Sequence, residues 1–137
     1  MKTSGIHAVP LLFLLSSPLL AHHSGAPFDT EKRVEVTGVV DEWQWQNPHA
    51  WLRLQVDDGA GNKVEWNIEA TSPNILMRQG WRRSTLQPGD NITVLVYPMR
   101  DGSPGGSLLG ARLADGTELG APPGSGGTGS LTRPQGE

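Results

Sequence analysis

The chain predicts an all-β fold, a small five-stranded OB-like barrel with one short helix between strands 3 and 4. Three observations lead there. Short segments of alternating apolar residues recur through the middle of the chain, a single helix-compatible stretch follows the third of them, and the first is long with Gly38 near its centre. A helix in that place closes the open end of such a barrel, which side chains alone would leave wet. The bent first strand favours this arrangement over a sandwich, and a small SH3-like barrel is the main competitor.

Taken in order, Val34 to Trp45 (VEVTGVVDEWQW) is β-branched and aromatic, with Gly38 as its predicted bulge or bend. After Asn47-Pro48-His49, the segment Ala50 to Val56 sets Leu52, Leu54 and Val56 against Trp51, Arg53 and Gln55, the period of a half-buried strand. Asp57 to Asn62 (DDGAGN) has hairpin-turn composition. Lys63 to Ala70 then points Val64, Trp66 and Ile68 one way and Glu65, Asn67 and Glu69 the other. Ser72 is a natural N-cap, Pro73 suits the first helical position, and Gly80 ends a helix of about two turns in a left-handed conformation. Ile75, Leu76 and Trp81 offer an apolar plug. Leu86 to Asp90 is a turn into the alternating strand of Ile92, Val94 and Val96, which Pro98 stops. Arg100 to Gly106 (RDGSPGG) reads as a polar loop, and Leu108 to Leu113 as the last substantial strand, with room to continue past Asp115-Gly116.

The flanks have a different character. Residues 1–21 form a predicted signal peptide: Lys2 gives the positive start, Ala8 to Leu15 (AVPLLFLL) the apolar stretch, and Ser16-Ser17-Pro18 a break before Leu19-Leu20-Ala21. Cleavage after Ala21 makes His22 the first mature residue. Residues 22–29 read as an irregular arm anchored by Phe28, residues 30–119 as the barrel, and residues 120–137 (GAPPGSGGTGSLTRPQGE) as a disordered tail with almost nothing to bury.

Removing 21 of the 137 residues leaves 116, one small domain. Taking Lys2 from the 11 Lys/Arg leaves 10 against 14 Asp/Glu, a mature net charge of −4 with neutral histidines. That balance gives no long-range attraction to nucleic acid or anionic membrane, and no other apolar run spans a bilayer. The sequence therefore predicts a soluble periplasmic protein without a nucleic-acid partner. With no cysteine in the chain, disulfides, thiolate metal sites, lipidation at the cleavage site and cysteine nucleophiles are excluded.

Three histidines remain after cleavage: His22, His23 and His49. A residue at a new amino terminus carries a free amine beside its imidazole, and the two can chelate one ion. Copper(II) prefers nitrogen ligands in a square-planar set. The amine and imidazole of His22 with the distant imidazole of His49 supply a T-shaped three-nitrogen site. Alternatively His23, as second residue, chelates through its imidazole, the intervening amide and the amine. The plain reading is a polar pair behind a cleavage site and a turn histidine bonded to its own loop.

Trp43, Trp45 and Trp51 flank the same turn, and unbroken alternation puts them on one face, opposite Leu52 and Leu54. Such a surface would stack a flat or sugar-like ligand, engage another envelope protein, or be covered by the arm. Glu65, Asn67 and Glu69 opposite Arg53 read as cross-strand ion pairs on a solvated face. Arg78, Arg82 and Arg83 place positive charge at a helix C-terminus. The glycine-rich loop lacks the lysine and the following helix of a phosphate cradle. No hydrolase pattern is present, and nothing names an enzyme.

Ala21-His22-His23-Ser24, Asn47-Pro48-His49-Ala50-Trp51, Ser72-Pro73 with Leu76, Arg78 and Gly80-Trp81, and Arg100-Asp101-Gly102 with Gly105-Gly106 together resemble a family of small exported proteins, mostly of Gram-negative bacteria, known only as a domain of unknown function. Glu65-Trp66 and Pro88-Gly89-Asp90 belong to the same resemblance, which runs from the signal junction to about Leu119. It implies a periplasmic location and no activity. Gly25-Ala26 stands where the family carries a bulky residue, which loosens the arm. The leading expectation is a copper-type carrier or sensor using His22 and His49 with His23 in support. The rival is a binding module built on the tryptophans.

Overall fold

The structure is a computed structural model that describes residues 27–121. Its elements are β1 (Val34–Gln44), β2 (Trp51–Asp57), β3 (Lys63–Glu69), α1 (Pro73–Arg78), β4 (Asn91–Pro98), β5 (Gly105–Leu113) and β6 (Glu118–Gly120). The first half of β1 pairs antiparallel with β4, from Val34↔Val96 to Val39↔Asn91, and its second half with β2, ending at Gln44↔Trp51. β2 pairs with β3 from Trp51↔Glu69 to Asp57↔Lys63. β5 runs antiparallel to β4 and parallel to β3, through Asn67↔Gly105, Ile68↔Gly106 and Glu69↔Ser107. The cycle β1-β2-β3-β5-β4 returns to β1, so the barrel is closed in the expected OB order, with the helix between strands 3 and 4. β6 adds a short sixth strand on the edge of β5 beyond the point where β3 leaves it.

The core is what the alternation requires. Val36, Val40, Leu52, Leu54, Ile68, Ile92, Val94, Val96 and Ala111 point inward and are buried, and no polar or charged residue among those described is buried with them. Leu76, Trp81 and Leu86 close one end. Each large apolar side chain so removed from water stabilises the fold by about 1.5–3 kcal/mol. Of the expected plug, Ile75 stays 43% exposed. A six-residue helix has one face to bury, and Pro73 and Leu76 occupy it. Ser72 takes the N-cap position with extended backbone but makes no side-chain cap bond, while Gly80 adopts the left-handed φ of 92° expected of it.

Three local features differ from the sequence expectation. The irregularity in β1 falls between Val40 and Glu42. At Gly38 the ladder is regular, and the glycine serves close approach instead: a Cβ there would lie 2.8 Å from the Gln55 carbonyl oxygen. Second, β5 begins at Gly105, inside the predicted loop. A Cβ at Gly105 would lie 2.6 Å from Asn67 O, and one at Gly106 2.4 Å from Tyr97 O. The two glycines therefore let β5 fit between β3 and β4. Third, Arg53 faces Asn67 across β2–β3, and its acidic partners are Glu42 and Asp41 on β1, not the β3 glutamates.

The described part of the arm is held along the end of β4. Asp29 N–H donates to Pro98 O, Arg100 N–H donates to Pro27 O, both at 2.8 Å, and Phe28 bridges Met99. The β2–β3 turn is held by carboxylates. Asp58 accepts from Asn62 Nδ2 at 2.9 Å and from the Ala60 and Asn62 amides at 2.8 and 3.0 Å. The Asn62 side chain, followed by these amides, holds the Asp58 carboxyl below its ordinary value. A group whose pKa is depressed by folding stabilises above its unfolded pKa, and that stabilisation is lost as pH falls through the folded pKa. In thermal melts from about pH 6 to about pH 2, Asp58→Ala should therefore lose less stability than the parent protein. Equal losses would show that this carboxylate does not contribute.

Candidate functional site

His49 precedes β2, after a cis Asn47–Pro48 bond, where the ladder continues beyond the strand ends: Ala70 N–H donates to Ala50 O at 2.8 Å and Ala50 N–H to Thr71 O at 3.3 Å. This brings the imidazole to Glu69, the last residue of β3. Its Nδ1 is hydrogen-bonded to Glu69 Oε1, with the histidine side chain 50% exposed and the glutamate 21%. An ionised carboxylate only accepts, so a hydrogen bond to it makes Nδ1 the donor, and in the neutral tautomer this requires the lone pair to be on Nε2. This is the arrangement by which a carboxylate orients a ligating histidine. Among the described residues no cluster of three or more His, Asp or Glu forms a metal-holding group. His22 and His23 lie outside the described residues.

The tryptophans divide. Because the β1 register shifts beside Asp41, the inward set changes from Val36, Gly38 and Val40 to Trp43, which pairs with Leu52 on the core side. Trp51 pairs with Gln44 and Glu69 and so lies on the outer face, beside the His49 pair. Trp43 and Trp45 do meet, edge to face with ring centroids 5.5 Å apart, and Trp43 packs against Trp81 at 5.7 Å. The Trp43 Nε1–H donates to Arg82 O at 3.2 Å. The single three-tryptophan face expected from unbroken alternation is therefore a pair and a separate residue. The shift removes the premise that linked them.

Of the arginines near the helix end, Arg82 reaches back to Met77 O and Trp81 O at 3.0 and 2.7 Å, which caps the helix as expected. Arg83 lines a groove with Glu42, Trp43, Ser84, Gln87 and Pro88. Nothing in the sequence joins these residues, since the bulge in β1 and the turn before β4 come together only in the folded barrel. Glu69 was likewise read as one member of an ion-paired strip. Its position on the outer face of β3 was visible, but its partner was not. In the 100–106 segment, Asp101 accepts from Ser103 N–H and Oγ–H at 2.9 and 2.6 Å, and these bonds hold its carboxyl below the usual range. They order the loop and gather no phosphate-binding amides.

No helix of the described residues is long and apolar enough to cross a membrane. A model described as a family of unknown function (DUF6152) matches residues 11–108. No curated protein matches the chain. A solved structure of the mitochondrial single-stranded DNA binding protein Rim1 from S. cerevisiae is similar at a TM-score of 0.44 and 13% identity, over 64% of this chain and 95% of that one.

Proposed function

The chain belongs to DUF6152, a family of unknown function, and from that premise we propose that it is an exported, periplasmic copper-binding protein that acts as carrier or sensor. The observation that supports this is the His49–Glu69 pair, which leaves Nε2 as the ligating nitrogen of a partly exposed, oriented ring. The amine and imidazole of His22, freed by cleavage after Ala21, supply the other two nitrogens, with His23 in support. The arm's anchor at Pro27 lies five residues from His22, a reach of roughly 17 Å at full extension. Three strand spacings, about 14 Å, separate the anchored arm from β3.

Mass spectrometry of the exported protein and copper(II) titration followed by electron paramagnetic resonance test the reading. The expected result is a mature chain beginning at His22 with one site whose spectrum changes in His49→Ala. Glu69→Gln should weaken that site by about 10- to 100-fold, the usual cost of losing such a supporting carboxylate. An amino terminus elsewhere, or a spectrum indifferent to His49→Ala, overturns the shared site. A second reading, a module that binds an envelope protein or small ligand through its tryptophans, is supported by the Trp43–Trp45 contact and no longer includes Trp51.

A further inference from the structure

We propose that the groove beside Trp43 binds an acidic saccharide, one or two pyranose rings bearing a carboxylate. It is an open groove between the end of β1 and the turn before β4, with space of about 470 Å³, within the range of roughly 300–1,000 Å³ usual for small-ligand sites. Its aromatic wall is fixed before any ligand arrives. The Trp43 indole is held by its bond to Arg82 O at 3.2 Å and packed against Trp45 and Trp81 at 5.5 and 5.7 Å. Stacking on this ring therefore costs little ordering.

Around that ring stand three exposed polar side chains, Arg83, Ser84 and Gln87, none with a side-chain hydrogen bond or ion pair to the described residues. Glu42, the acidic residue of the lining, is bound to Arg53. Among the described residues Arg83 is thus the lining's charge without an ion-pair partner, and its guanidinium matches a carboxylate through two parallel hydrogen bonds. The Ser84 hydroxyl and Gln87 amide both donate and accept, which suits the hydroxyls of a sugar ring. The apolar C–H face of a pyranose suits the indole.

Two other polymers fit less well. A proline-rich peptide docks on aromatic grooves, but its neutral backbone brings no carboxylate to match the Arg83 guanidinium. Single-stranded nucleic acid needs a basic track along its backbone, and the chain carries a net charge of −3. The groove uses none of His22, His23 and His49, so this inference stands apart from the copper reading.

The test is a titration of the full mature protein with tetragalacturonate, followed by tryptophan emission and calorimetry in the presence of EDTA so that metal cannot contribute. Uncharged cellotetraose serves as the comparison. Saturable binding of tetragalacturonate is expected, weakened about tenfold or more by Arg83→Gln, the loss of a charge-assisted contact. Cellotetraose should bind weakly and equally to both forms. Gln87→Ala should weaken both ligands, and Trp51→Phe should leave both unchanged. Arg83 and Gln87 are exposed, so neither substitution threatens the fold. Absence of saturable tetragalacturonate binding, or binding indifferent to Arg83→Gln, overturns the proposal. So does saturable binding of a proline-rich peptide at the groove in place of the saccharide.

Discussion

Trp81→Ala is expected to lower the unfolding free energy by about 3–5 kcal/mol, the usual range for deleting a large aromatic from a core. The residue is 1% exposed and is the largest of the fully buried side chains. Its backbone N–H donates to Leu76 O at 3.0 Å, just past the helix. It thereby fills the barrel end from a fixed position, which a rotamer change in a neighbour cannot reproduce. Domains of this kind are typically stable by about 5–15 kcal/mol, so the variant should be marginal at room temperature. Urea denaturation followed by far-ultraviolet circular dichroism gives the number directly. Trp81→Phe, which keeps most of the volume, should cost clearly less. A loss below about 1 kcal/mol for the alanine variant would mean that other residues close the end of the barrel.

Gly106→Ala is the second large effect, at about 3 kcal/mol, the upper part of the range for overpacking a tight interior. The added carbon would lie 2.4 Å from the Tyr97 carbonyl oxygen and 3.1 Å from the Val96 side chain. Backbone atoms of β4 cannot rotate away, so β5 must shift, and the three-residue parallel pairing with β3 is the weaker of its attachments. Amide hydrogen exchange should accelerate at Asn67 to Glu69 while the β1–β2 ladder keeps its protection. Ser107→Ala, one residue on, should be close to neutral. Uniform protection in the glycine variant would show that the seam accommodates the methyl group.

The strands that alternate cleanly were the most legible part of the sequence. Leu52, Leu54 and Ile68 fall inward as their spacing required, and the helix begins at Pro73 and is followed by a left-handed Gly80. What failed was information held by register. Beyond Val40 the apolar and aromatic residues change parity, and the sequence does not show whether an extra residue has been inserted or a face has become aromatic. The bulge therefore moved Trp43 inward and separated it from Trp51. The same register decides that Arg53 meets Glu42 rather than a β3 glutamate. Gly105-Gly106 reads as loop because its function is to lack side chains at a crowded seam, a property of neighbours distant in sequence. His49 was singled out on its chemistry, but its partner Glu69, 20 positions away, emerges only once β2 and β3 are aligned.

The position of β5 in the strand cycle also sets an order of events. Among the described residues this late segment bridges β3 and β4, both of which precede it in the chain. In a polypeptide threading out of a channel amino terminus first, the emerged part is an open ribbon until Gly105 to Ser107 appear. Both ribbon edges present rows of unpaired N–H and C=O groups. Closure depends on contacts between residues far apart in sequence, which form slowly. The molecule thus stays threadable until nearly all of its folded length has cleared. A chain that stalls before Gly105 is left with two adhesive edges and no means of joining them.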